Sequence, residues 1–193
     1  MKTLIATCLG AAVLISPAQA DFVEVTPASL DVGGASAAWG DYDNDGDDDL
    51  FVGRHSLQGT DKLFRYDGGL TFVEVPAPPL TEAIYTYGAG WADYDNDRDL
   101  DLFVNNTDIS PSGFFPLQNL LARNDGEAGF SDVTGGDLLL PTAGGFVWGD
   151  FDGDGDVDLY LTDSQALKAD MMFRNDGNDV FTLVPAGDAS GVR

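Results

Sequence analysis

The sequence predicts an all-β protein made of β-propeller blades, about three of them, each a sheet of four antiparallel strands. Three observations predict this. One aspartate-rich segment occurs three times in register. Each copy is followed by short apolar runs bounded by Asp-Gly turns, and no segment keeps a sustained helical spacing. The tryptophans that open the three copies, Trp39, Trp91 and Trp148, stand 52 and 57 residues apart, near the ~40–50-residue periods of propeller blades.

Taken in chain order, the first twenty residues read as an export leader. Lys2 supplies the positive start, Leu4 to Ile15 the apolar centre, and Ala18-Gln19-Ala20 a small-residue cleavage site, so the mature chain is expected to begin at Asp21. The apolar run is too short to span a bilayer, and no later stretch approaches the roughly 20 apolar residues of a membrane helix, so no membrane insertion is expected. Cys8 is the single cysteine and leaves with the leader, so the mature chain has no disulfides to staple it. After the leader, residues 22–26 read as the last strand of a unit that has no beginning, and in a closed ring such a strand completes the final blade.

The repeated units are centred on residues 39–75, 91–133 and 148–184. The first opens Trp39-Gly40-Asp41-Tyr42-Asp43-Asn44-Asp45-Gly46. The second reads Trp91-Ala92-Asp93-Tyr94-Asp95-Asn96-Asp97-Arg98, and the third Trp148-Gly149-Asp150-Phe151-Asp152-Gly153-Asp154-Gly155. A buried-strand run follows each loop, Leu50-Phe51-Val52, Leu102-Phe103-Val104 or Leu159-Tyr160-Leu161. Next come Phe64-Arg65-Tyr66-Asp67-Gly68, Ala122-Arg123-Asn124-Asp125-Gly126 and Phe173-Arg174-Asn175-Asp176-Gly177, each ending in a hairpin-turn pair. A final alternating strand starts at Phe72, Phe130 or Phe181. Three units fall short of the usual four to eight blades, and residues 187–193 read as the lead-in to another tryptophan loop. The expectation is therefore a piece of a longer propeller, with self-assembly of several short chains into a ring as the alternative.

The acids carry the chemistry. The formal charge is −24, and removal of Lys2 makes it one unit more negative, a balance that repels nucleic acid and anionic membranes and favours cations. Asp41, Asp43, Asp45, Asp47 and Asp49 alternate, so that every second residue can turn toward one centre. Calcium takes six to eight hard oxygens at flexible distances. As in an EF-hand loop, positions one, three and five offer side-chain oxygens, position seven its backbone carbonyl, and Gly46 at position six the sharp turn. Position twelve is Val52, Val104 or Leu161 rather than glutamate, so position nine, Asp49, Asp101 or Asp158, is expected to close the shell. Five carboxylates around one point repel one another unless a cation neutralises them. Magnesium fits less well, because it keeps a small octahedral shell with several waters. Arg98 stands where the other loops have glycine, and a non-glycine residue at positive φ costs on the order of 1 kcal/mol; the second loop is expected to bind most weakly or to use a distorted turn.

The Trp-Gly-Asp lead-in, the aspartate loops and the Phe-Arg-Asn-Asp-Gly segment resemble the FG-GAP/VCBS repeats of integrin-α-type β-propellers, over most of residues 21–193. The resemblance implies a seven-bladed propeller, calcium in the blade loops, and extracellular adhesion or carbohydrate-related binding. It carries the calcium positions onto Asp41, Asp43, Asp45, Asp47 and Asp49, onto Asp93, Asp95, Asp97, Asp99 and Asp101, and onto Asp150, Asp152, Asp154, Asp156 and Asp158. About three ions are expected per chain.

Little points to catalysis. His55 is the lone histidine, falls in one repeat only, and reads as a surface residue. No Gly-x-Ser-x-Gly or His-Glu-x-x-His pattern occurs. Arg65, Arg123 and Arg174 read as partners of the following Asp-Gly turns. An insertion over residues 105–118 carries Phe114 and Phe115 beside Pro111 and Pro116, and its aromatics either tuck into a neighbouring blade or bind a sugar or a protein. Asn105-Asn106-Thr107 fits a glycosylation acceptor. The expected function is a non-enzymatic, exported, calcium-stabilised module, periplasmic, secreted or at the cell surface, presenting loops to a protein or carbohydrate ligand. The alternatives are part of a polysaccharide-directed enzyme whose catalytic residues lie outside this chain, and a structural spacer in a large surface protein.

Overall fold

The computed structural model describes residues 24–55, 59–82, 85–106, 118–139, 144–162 and 170–185. The leader with Cys8, residues 22 and 23, the insertion aromatics Phe114 and Phe115, and residues 187–193 lie outside the described residues.

Each repeat folds into one four-stranded antiparallel sheet, and among the described residues the fold is all-β, with only short 3₁₀ turns besides strands. The first sheet contains β1 (Ser36–Gly40), β2 (Asp49–Gly53), β3 (Lys62–Tyr66) and β4 (Phe72–Val75). The second contains β5 (Thr86–Ala92), β6 (Asp101–Asn106), β7 (Leu120–Asn124) and β8 (Phe130–Asp132). The third contains β9 (Phe146–Gly149), β10 (Asp158–Leu161), β11 (Met171–Asn175) and β12 (Phe181–Val184). Strand order follows chain order in all three, the simple meander of a propeller blade. The registers coincide: Trp39 pairs with Leu50, Trp91 with Leu102 and Trp148 with Leu159, so the acidic loop is the same hairpin connection each time.

The core lies in the seams between sheets, because a sheet with apolar residues on both faces must cover both. Phe51 and Leu63 of the first sheet meet Leu102, Val104, Leu120 and Ala122 of the second, with Trp91 packed against them. Phe103, Leu121 and Tyr94 of the second meet Leu159, Leu161, Phe173 and Phe181 of the third, with Trp148 alongside. Each Leu or Phe buried this way contributes ~1.5–3 kcal/mol of transfer free energy.

A 3₁₀ turn precedes each sheet and delivers a leucine to its face. Leu80, in the turn Leu80–Glu82, and Leu138, in the turn Gly136–Leu139, are buried in the two seams. Leu30, in the turn Ala28–Leu30, packs with Val32 against Leu50, Val52 and Phe64 on the outer face of the first sheet.

The closing strand expected over residues 22–26 is described only in part. Its described residues, 24–26, are irregular. All three sheets already hold four strands from their own repeats. Among the described residues no three-stranded sheet is left for this segment to complete.

Candidate metal centre

Each acidic loop is held by its own backbone. In the first loop, Asp41 accepts from the N–H groups of Asp45 (Oδ1, 3.0 Å) and Gly46 (Oδ2, 3.0 Å), while Asp45 Oδ1 accepts from Asp47 N–H at 3.0 Å. The same frame recurs. Asp93 Oδ2 accepts from Arg98 N–H at 3.1 Å, and Asp150 Oδ2 accepts from Gly155 N–H at 3.1 Å. Two positions of each loop sit in the left-handed region. Position six has φ of 98° at Gly46, 83° at Arg98 and 99° at Gly155. Arg98 therefore keeps the turn of its glycine counterparts and bears the strain, so the distorted turn allowed for above does not occur. Position four has φ of 60° at Asn44, 62° at Asn96 and 78° at Gly153, a conformation that asparagine and glycine tolerate best.

The carboxylates converge in all three loops. Asp41, Asp43 and Asp45 bring one oxygen each within 4.8 Å of one another, as do Asp93, Asp95 and Asp101, and Asp150, Asp152 and Asp158. Position nine thus joins the cluster in the second and third loops and position five in the first. Asp97 and Asp154 stay outside the clusters, although like Asp45 each accepts a backbone N–H bond from the residue two positions on. Asp47, Asp99 and Asp156, at position seven, stand outside these clusters. Asp99 Oδ1 accepts from the Asn44 amide at 2.8 Å, and Asp156 Oδ1 from the Asn96 amide at 2.7 Å, so each bond ties one loop to the next.

The position-nine carboxylates also hold the hairpins together. Asp49, Asp101 and Asp158 are buried. Asp49 Oδ2 accepts from Tyr42 N–H (3.3 Å) and its Oδ1 from Tyr66 N–H (2.8 Å). Asp101 does the same with Tyr94 and Asn124, and Asp158 with Phe151 and Asn175. Burial pushes Asp49 up to about 6 and Asp101 to about 7, partly offset by these backbone bonds and reinforced by the neighbouring aspartates. Asp158 is raised for the same reasons.

The donor set fits a hard divalent cation. It consists of oxygens alone, carries several negative charges per loop, and leaves Asp93 Oδ1 buried without a hydrogen-bond partner, an acceptor that a cation would satisfy.

Two roles escaped the sequence reading. The amide of Asn124 donates to the Tyr42 carbonyl at 2.8 Å, and that of Asn175 to the Tyr94 carbonyl at 2.8 Å, each reaching back to the preceding loop. Asn44 and Asn96 reach forward. The only sequence signal was asparagine recurring in register, which by itself reads as a turn former.

The other candidates resolve simply. Arg65, Arg123 and Arg174 each donate Nε to the aspartate two residues on, at 2.8, 2.9 and 2.7 Å. Arg123 also bridges to Asp179 of the third sheet at 2.8 Å. His55 is half-buried rather than a plain surface residue, edge-on to Tyr85 with ring centroids 5.7 Å apart. Asn105 is fully buried on β6, where no glycan could be attached.

Comparison with known proteins agrees with this geometry. Over 156 residues, 77% of this chain, the sequence is 30% identical to cartilage acidic protein 1 of Mus musculus, and over 155 residues, again 77%, 30% identical to cartilage acidic protein 1 of Homo sapiens. The chain spans 23% of the length of each of these relatives. Residues 41–104, which run from the first acidic loop into β6, match the family model of the FG-GAP-like repeat, so the chain contains an FG-GAP-like repeat over that stretch.

Proposed function

We propose that the chain is an exported, calcium-binding β-propeller module, in which about three structural calcium ions, one per acidic loop, brace the blades, and whose loops bind a protein or carbohydrate ligand. One observation carries the calcium reading: three carboxylate clusters occupy the same hairpin of three successive sheets. Asp41, Asp43, Asp45 and Asp49, with their counterparts Asp93, Asp95, Asp97 and Asp101 and Asp150, Asp152, Asp154 and Asp158, would hold the ions. Position seven would serve through its backbone carbonyl. The absence of cysteine from the mature chain leaves calcium as the staple. Extracellular calcium modules bind in the ~10⁻⁴–10⁻³ M range, which suits export.

The reading is a binding role, supported by loop carboxylates that are held by backbone N–H groups of their own repeats. Among the described residues no helix is long and apolar enough to cross a membrane.

Calorimetric titration of residues 21–193 with calcium tests the proposal, with thermal melts run in calcium and in chelator. Heat of binding near three sites and a chelator-sensitive melt are expected. A folded chain that takes up no calcium would overturn the metal reading.

A further inference from the structure

Adjacent acidic loops share side-chain amides. Asn44 lies between Asp43 and Asp45 of the first loop, and its Nδ2 donates to Asp99 Oδ1 of the second at 2.8 Å. Asn96, between Asp95 and Asp97, does the same to Asp156 Oδ1 of the third at 2.7 Å. At the base of the loops, Asn124 Nδ2 bridges the carbonyls of Tyr42 (2.8 Å) and Leu100 (3.3 Å), one from each loop, and Asn175 Nδ2 bridges those of Tyr94 (2.8 Å) and Val157 (3.2 Å). Both base amides are buried, and their orientation is set because their oxygens accept from the N–H groups of Gly126 and Gly177.

The turn itself does not demand asparagine at position four. The third loop makes the same left-handed turn with Gly153, at φ of 78° against 60° for Asn44 and 62° for Asn96. The two tip amides are thus additional to the turn. Each meets position seven of the following loop, the position that would bind an ion through its backbone carbonyl.

We propose that calcium fills the loops cooperatively, with Asn44 and Asn96 as the positioning residues that couple each loop to the next. The coupling rests on the calcium reading above. An ion held by Asp43 and Asp45 immobilises Asn44 between them, and Asn44 then holds Asp99 in place. The next ion meets a loop that has already lost part of its ordering entropy, so it binds more tightly. By linkage the effect is reciprocal, and an ion in the second loop raises the affinity of the first by the same factor. Asn124 and Asn175 hold the loop bases at one spacing, so that ordering one tip is felt at its neighbour.

The test is a calcium titration of residues 21–193 followed by the amide NMR signals of Gly46, Arg98 and Gly155, one in each loop. The wild type is compared with the double variant Asn44→Gly, Asn96→Gly, which copies the third loop and keeps the turn; circular dichroism checks its fold. The wild-type loops are expected to fill together, along a curve steeper than independent sites allow, and the double variant to fill them independently. Weakening the first site with Asp43→Asn should lower the affinity of the second by roughly fivefold or more, and adding Asn44→Gly should abolish that transfer. Independent filling in the wild type, or a second loop indifferent to Asp43→Asn, would overturn the coupling and leave the calcium reading standing. Cooperativity unchanged in the double variant would overturn the role of the two amides. A folded chain that takes up no calcium would overturn the calcium reading and the coupling with it.

Discussion

Asp61 is a fully buried carboxylate away from the acidic loops. Its Oδ1 accepts from Arg54 N–H at 2.7 Å, and its Oδ2 meets Thr86 Oγ1, which also lies 3.2 Å from Asn106 Oδ1. The Thr86 hydroxyl donates to this carboxylate and partly offsets the effect of burial. Burial pushes Asp61 from 3.8 up to about 6. The folded state therefore holds this proton more tightly than the unfolded state, and its contribution falls as pH rises from about 4 to about 6, by on the order of 2–3 kcal/mol. Asp61→Asn, which cannot titrate, should gain stability relative to wild type across that window; denaturant melts at its two ends measure the difference, and a constant difference would refute it. Arg98 makes a second residue-scale case. It holds φ of 83° without being glycine and adds a positive charge to the acidic loop. Resolved calorimetric binding should show the second loop weakest, with Arg98→Gly removing the deficit. Equal affinities at all three loops in the wild type would sink the idea.

At the scale of the hairpin, the closing aspartate matters before any metal arrives. Asp101 satisfies two backbone N–H groups, those of Tyr94 and Asn124, from a fully buried position. Asp101→Ala leaves both without an acceptor and should cost roughly 2–5 kcal/mol. Asp99→Ala, at a half-buried position of the same loop where one side-chain bond from Asn44 is lost, should cost less, about 1 kcal/mol. Melts of both variants in chelator separate this structural role from metal binding, and equal losses would show that the buried carboxylate has no structural role of its own. The same hairpin explains the repeat's wording. Trp91 and Trp148 open their loops with indoles that cross the seam, and at Gly40 the Trp91 ring leaves no room for a Cβ, whereas the second repeat accommodates Ala92 at the same position.

At the scale of the molecule, three sheets share two seams, and the loops are linked along one rim through Asn44–Asp99 and Asn96–Asp156. An ion bound in one loop would therefore steady its neighbour as well. At a calcium concentration 100 times Kd, each site adds about 2.7 kcal/mol to the folded state, so the chelator melt proposed above should shift as one transition. Separate transitions for the sheets would show that the seams do not couple them.

The strands, the four-stranded repeat and the acidic loops were legible in the residues because they depend on local pattern. Alternating apolar runs, Asp-Gly turns and evenly spaced aspartates carry their geometry within a few neighbours, so one unit read three times predicted three sheets. The leucine-bearing 3₁₀ turns were missed because three or four residues show no periodicity. The asparagine links were missed because Asn124 and Tyr42 lie 82 residues apart and meet only when two sheets pack. The sequence points to position nine as the residue that closes the shell, and it joins the cluster in the second and third loops. The first hairpin has the same register but brings in position five instead, so strand pairing alone does not set which aspartates converge. Local sequence determined what each blade is. The tertiary structure decided how blades join, because seam contacts depend on side chains brought together from distant repeats.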